Sequence, residues 1–182
     1  MKTTALLLII LVAACGPTGM QDDPDLQPKS PQSADDWYEL GVNSVNLEDF
    51  GSAIQQFTKA LELDSVFASA FHDRGIAQFE LGYLEKAEAD FLETIRLEPE
   101  RGEAYFNLAL VYHEGEQLEN ALQYYTLAID RMPEIAEAYF NRAYILMELN
   151  RKNEACKDFE TAKRLGDPDA EEAIKRICFD AK

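Results

Sequence analysis

The chain has 182 residues, 47% of them hydrophobic, enough for one domain with a continuous buried core. Its 17 Lys and Arg stand against 34 Asp and Glu, and a formal net charge of −17 repels nucleic acid. The two His and three Cys are few and widely spaced, and the sequence holds no CxxC, no HExxH and no GxxxxGK(S/T) phosphate loop, so neither a metal site nor a cofactor is expected.

At the N-terminus Lys2 precedes an uninterrupted apolar run from Ala5 to Ala14. A run of that length makes about 15 Å of helix, too short for a bilayer core of roughly 30 Å. It suits the h-region of a secretory signal instead. The run ends in Val12-Ala13-Ala14-Cys15, which resembles the bacterial lipobox. That resemblance implies a signal peptide over residues 1–14 and a lipidated Cys15 as the new N-terminus. Two or three acyl chains there, palmitate among them, would anchor the protein stably in the membrane where one chain is marginal. An ordinary signal peptide with a chance cysteine near its cut site would leave the same residues.

Gly16, where an Asp would favour retention, implies by resemblance to lipoprotein sorting an outer-membrane destination in the cell envelope, with the protein facing the periplasm. The cluster Asp22, Asp23, Asp25 resembles surface-export signals, and an acidic solvated tether would explain it equally well. The stretch to Ser33 carries Pro17, Pro24, Pro28 and Pro31 and buries too little apolar surface to offset its ordering entropy. Residues 15–33 are therefore expected to form a disordered tether, reaching about 25 Å as a coil and about 55 Å if PPII-like.

From Ala34 the chain repeats every 34 residues. Aromatic residues recur at Trp37, Phe71, Tyr105 and Tyr139, and small ones at Gly41, Gly75, Ala109 and Ala143. Alanine recurs at Ala53, Ala87, Ala121 and Ala155, followed by the ring column Phe57, Phe91, Tyr125, Phe159 and the small column Ala60, Thr94, Ala128, Ala162. Pro99 and Pro133 close two units. This pattern resembles the tetratricopeptide motif W-x2-L-G-x2-Y, A-x3-F, P. It departs from that motif at Ser44, at Ser65 and in the late Pro168.

The resemblance implies an all-α fold: a right-handed TPR superhelix of four helix-turn-helix units, 34–67, 68–101, 102–135 and 136–168, with a capping helix and tail over 169–182. The small residues let the paired helices approach, and the rings fill the space between units. No unit buries its apolar face alone, so stacking supplies the core. Turns between paired helices are expected at Asn46, Gly82, Gly115 and Asn150, residues that tolerate a left-handed backbone. The cap reads as one amphipathic helix from Asp169 to Cys178, burying Ala170, Ala173, Ile174 and Ile177.

With Cys15 acylated, Cys156 and Cys178 remain as an even pair in an oxidising compartment. They would form a disulfide pinning the cap, or stay two separate thiols, because Cα separation decides the matter.

In tetratricopeptide stacks the first helix of each unit lines a concave groove. Residue by residue, the resemblance places Tyr38, His72, Phe106, Phe140 in one row, Val42, Ile76, Leu110, Tyr144 in the next, and Val45, Phe79, His113, Met147 in a third. Polar rows are Glu39, Asp73, Asn107, Asn141 and Asp35, Ser69, Glu103, Glu137. Such a groove suits a peptide or helix with apolar anchors and Lys or Arg, and Asn107 and Asn141 suit a peptide backbone. Aromatics at helical spacing also serve as core, so the same rings have a purely structural reading. The Lys and Asn clamp with which some cochaperones hold an acidic C-terminus is missing, with Tyr38, Val42 and Glu137 in its places.

The expected function is a membrane-anchored adaptor that binds a protein partner. A structural component that stacks end to end is the alternative. A hydrolase would need a nucleophile–base pair or metal cluster, and the recurrent residues are the small and apolar ones that stacking requires.

Overall fold

The computed structural model describes residues 31–179; the apolar run, Cys15 and the linker through Ser30 lie outside them. The described residues form helices α1 (Ala34–Asn46), α2 (Phe50–Leu63), α3 (Ala68–Glu80), α4 (Leu84–Leu97), α5 (Gly102–Glu114), α6 (Leu118–Arg131), α7 (Ala136–Glu148), α8 (Lys152–Arg164) and α9 (Ala170–Ala173), the last running into a π turn at Ile174–Cys178. Each odd helix from α1 to α7 pairs with the even helix after it, and each even helix packs on the next unit. This is an all-α tetratricopeptide solenoid.

The fold starts one residue earlier than the linker reading allows. Ser33 is the N-cap of α1: its Oγ accepts from Asp36 N–H at 3.1 Å, and the Asp36 carboxylate accepts from Ser33 N–H at 3.0 Å. This reciprocal capping box satisfies two otherwise orphaned donors. Asp49 caps α2 in a simpler way, accepting from Ser52 N–H at 3.0 Å.

The repeat columns are the core. Ala53, Ala87, Ala121 and Ala155 are fully buried, as are Ala60, Thr94, Ala128 and Ala162. The rings of Phe57, Phe91, Tyr125 and Phe159 are at most 1% exposed. Gly41 shows why that column demands a small partner, since a Cβ there would clash with the edge of the Phe57 ring.

The turns between paired helices follow a different column from the expected one. The left-handed residue is Glu48, Gly82, Glu116 and Asn150, with φ of 58°, 74°, 57° and 59°. Gly82 and Asn150 were expected; Asn46 and Gly115 do not take that conformation. Packing fixes where the chain must reverse, and in two units a glutamate accepts a backbone that costs a side-chain-bearing residue about 1–2 kcal/mol.

Two units carry an internal ion pair whose arginine also hydrogen-bonds a threonine of the preceding unit. Arg74 donates to both oxygens of Asp90 at 2.7 and 2.8 Å and to Thr58 Oγ1 at 3.0 Å. Sixty-eight residues on, Arg142 does the same to Asp158 at 2.7 and 2.8 Å and to Thr126 Oγ1 at 3.2 Å. In the intervening unit the equivalent positions are Leu92, Leu108 and Tyr124, of which Leu108 and Tyr124 join the apolar core and Leu92 is exposed.

The two ends of the stack are finished differently. The columns that bury Ala70, Ala104, Ala138 and Ala77, Val111, Ile145 against the preceding unit hold Asp36 and Asn43 in the first unit, where both are exposed. At the other end α9 buries Ala170 and Ala173, and Ile174 and Ile177 pack onto Phe159 and Ala155. The cap is not one continuous α-helix: it is α-helical only to Ala173, then widens so that Phe179 N–H bonds Ile174 C=O at 3.3 Å. Its final turn follows its contacts with α8 rather than intrahelical spacing. Cys178 is joined to Cys156 of α8, with Cα atoms 5.8 Å apart.

Candidate binding groove

Helix geometry decides which side chains share a face. At about 100° per residue, the second, sixth, ninth and thirteenth positions of each odd helix fall within about 60° of one another. From α1 to α7 these are Asp35, Glu39, Val42, Asn46; Ser69, Asp73, Ile76, Glu80; Glu103, Asn107, Leu110, Glu114; and Glu137, Asn141, Tyr144, Glu148. α1 touches α3 and α3 touches α5, while successive even helices are in no comparable contact, so the odd helices line the inner side of the stack. Each thus presents an acidic or polar start, an apolar middle and, from α3 on, an acidic end.

Exposure follows this order. Glu39, Glu103 and Glu137 are exposed, Val42, Ile76, Leu110 and Tyr144 are half-buried, and Glu80, Glu114 and Glu148 are exposed again. Phe79, His113, Met147 and Val45 lie half-buried at the flank. His113 Nε2 sits 3.6 Å from the Glu148 carboxylate of the next odd helix. The terminal glutamates Glu80, Glu114 and Glu148 recur every 34 residues in the sequence but fall outside the rows that the tetratricopeptide resemblance assigns to the groove.

The aromatic row has a different job from the one the groove assignment gave it. Tyr38, His72, Phe106 and Phe140 each face the ring column of their own unit, with centroids 5.7, 5.8, 5.8 and 5.5 Å from Phe57, Phe91, Tyr125 and Phe159. His72 is 7% exposed and Phe106 8%, so these two are core rather than contact surface. Their position points about 60° away from the groove centre, toward the paired helix.

Below the groove surface a polar chain crosses three units. Tyr38 Oη donates to Asp73 Oδ2 at 2.7 Å, His72 Nδ1 lies 2.9 Å from Asp73 Oδ1, and Asn107 Nδ2 lies 3.1 Å from His72 Nε2. An ionised carboxylate only accepts, so the imidazole carries a proton on Nδ1, facing Asp73. Burial opposes ionisation of Asp73, but the hydrogen bonds from His72 and Tyr38 prevail and hold its carboxyl below the usual range. Burial and then the Asp73 bond push the Tyr38 hydroxyl up to about 12. The chain fixes α1, α3 and α5 relative to one another and commits Asn107 partly to the fold.

Between α1 and α3 the surface dips into a hollow of about 150 Å³ lined by Val42, Val45, Phe57, Ile76 and, at its rim, Asp73. Its size suits one apolar side chain. At the other end Arg176 of the cap donates to Tyr144 Oη at 3.3 Å. No group of three or more His, Cys, Asp or Glu placed to hold a metal occurs among the described residues. No described helix is long and apolar enough to cross a membrane.

Models of the tetratricopeptide repeat match residues 37–67, 72–133 and 136–167. The curated protein FlbA of Caulobacter vibrioides is 36% identical over 61 residues, a stretch that is 34% of this chain and 10% of that protein. Among solved structures, MamA superposes with a TM-score of 0.73 at 24% identity, over 78% of this chain and 83% of that one. MamA from Desulfovibrio magneticus RS-1 gives 0.70 at 22% identity, over 73% and 75%. The first tetratricopeptide domain of Spaghetti (RPAP3), bound to the HSP90 peptide SRMEEVD, gives 0.64 at 24% identity, over 65% and 94%. These structural likenesses speak to the fold, and the family models together with the repeat columns show that the chain belongs to the tetratricopeptide repeat family.

Proposed function

We propose that this protein is an interaction adaptor of the bacterial envelope, held to the membrane through lipid on Cys15 and binding a segment of a protein partner in the groove of its odd helices. One observation carries the binding half: the groove is an ordered surface of exposed acidic and half-buried apolar side chains repeated over four units, which stacking alone does not require. The peptide complex of the RPAP3 domain supports a role in binding peptides. That peptide carries two glutamates and an aspartate, and this acidic groove would repel it, so the partner differs in charge. The apolar run ending at Cys15 supports the membrane half.

Charge reversal at Glu103 and Glu137 is the test. In the full chain it weakens recovery of the partner from crosslinked cells while leaving helix content unchanged; undiminished recovery would refute the groove as the contact. For the anchor, Cys15→Ser abolishes membrane fractionation, and a variant that still sediments with membranes would refute lipidation. The alternative, end-to-end stacking, is opposed by Asp36 and Asn43 on the first unit's outer face, which set carboxylate and amide where continued stacking would bury alanine and aliphatic carbon.

A further inference from the structure

Resting on that reading of the groove, we infer that its occupant is a cationic amphipathic α-helix, laid along the stack with its apolar stripe on the groove floor and Lys or Arg on both flanks. The inference starts from where the cations of the odd helices go. Across α1, α3, α5 and α7 the sequence has nine carboxylates and two cations, Arg74 and Arg142. Both arginines turn away from the groove into bidentate pairs with Asp90 and Asp158. Their charge is consumed within the fold, and the inner face keeps its carboxylates without compensation from its own helices.

Those carboxylates form two rails. One runs through Asp35, Glu39, Glu103 and Glu137, the other through Glu80, Glu114 and Glu148, all exposed. Where the first rail lacks an acid, at Ser69, Arg101 fills the gap, donating to Ser69 Oγ at 3.3 Å and to Glu98 at 3.2 Å. Arg101 thus interrupts the first rail near its middle and Arg176 marks the far end beside Tyr144, while the exposed glutamates of both rails outnumber these two cations.

The spacing of the rails favours a helix over an extended strand. Seven to eleven residues at 1.5 Å rise separate them by about 10–16 Å. A helix with side chains is about 10–12 Å across, which lets lysines on its two flanks reach both rails while one face meets Val42, Ile76 and Leu110. A lone strand centred on that floor reaches the two rails only by turning alternate side chains sideways, which removes its apolar side chains from the floor. The hollow between α1 and α3 then takes one anchor residue, in the i, i+3, i+4, i+7 manner of helix-in-groove recognition.

The test uses the full chain in detergent and fluorescent synthetic peptides of about 18 residues, roughly 27 Å as helices. One places leucines on a single stripe with lysines on both flanks. A second scrambles the same residues, a third puts a proline at its centre, and a fourth replaces Lys with Glu. The first peptide is expected to bind at least about tenfold more tightly than each of the others. Raising salt from about 0.15 M to about 1 M shortens the Debye length from about 8 to about 3 Å and should weaken it by a similar factor. E39Q/E103Q and E80Q/E114Q should each weaken it several-fold and flatten the salt dependence. Equal binding of the scrambled or proline peptide, unchanged affinity in either rail variant, or no binding by the first peptide would overturn the inference. Photocrosslinking from the bound peptide separates the two levels. Adducts on odd helices with a scrambled peptide bound equally well leave the groove reading standing and sink the helix, whereas adducts confined to even helices sink the groove reading as well.

Discussion

The arginine clamp of the second unit offers a perturbation whose size can be worked from the structure. In Asp90→Ala the Arg74 guanidinium keeps only its bond to Thr58, in a site where the Arg74 side chain is 18% exposed. Removing one partner of a fully buried pair costs about 3–5 kcal/mol. Because water reaches about a fifth of this arginine, about 2–3 kcal/mol is expected. The next copy carries Leu92, Leu108 and Tyr124 at the equivalent positions, so transplanting that set as T58L/R74L/D90Y removes the charge together with its partners. The triple variant should lose less stability than Asp90→Ala, because it leaves no buried charge without a partner, although its side chains are bulkier in sum and must repack. Urea unfolding of the full chain, followed by far-ultraviolet circular dichroism, reads both values from the shift in midpoint at constant m. A triple variant as unstable as Asp90→Ala, or an Asp90→Ala variant as stable as the parent, would refute the reasoning.

Three further outcomes follow from the same geometry. Glu48→Gly and Glu116→Gly should each stabilise the chain by about 0.5–1 kcal/mol, since both residues hold a left-handed backbone that glycine adopts freely; Gly82→Ala should destabilise by a similar amount, read as denaturation midpoints. Loss of the Cys156–Cys178 link, which closes a sequence separation of 22, should cost about 3 kcal/mol and lower the thermal midpoint, while leaving the four repeats helical by circular dichroism. The Tyr38 hydroxyl is held above its ordinary value of 10.0, so the protonated form is favoured in the folded chain. Its contribution is therefore complete below pH about 10 and lost as pH rises toward about 12. A pH series of unfolding midpoints should show that loss in the parent and not in Tyr38→Phe.

Much of this fold is legible in the sequence because stacking imposes chemistry at fixed spacing. Ala53 and its equivalents are fully buried, and any larger side chain would force the paired helices apart. The turn residues are less legible. Glu48 and Glu116 carry no local signal for a left-handed backbone, and the nearby Asn46 and Gly115 carry a false one. Ser33 reads as linker because its capping partner Asp36 lies inside the helix it starts. The Arg74 and Arg142 clamps join residues sixteen apart on either side, a spacing that has meaning only once the stack is known.

For the groove, helical spacing names the face but not how deep each side chain sits. Place in the stack decides that: all four rings of the row reach the paired helix, but only His72 and Phe106, in the two inner units, are buried. Tyr38 and Phe140 in the end units stay half-buried, and a hollow remains between Val42 and Ile76. The second acidic rail escapes notice because Glu80, Glu114 and Glu148 end their helices, where a charged residue looks like ordinary solvation.

The central claim, that the inner face of the odd helices receives a protein segment, is tested most directly by site-specific photocrosslinking of the full chain in living cells. A crosslinker at Leu110, on the groove floor, should yield a discrete protein adduct, and one at Leu92, 40% exposed on an even helix, should not. An adduct from Leu92 with none from Leu110 would contradict the account.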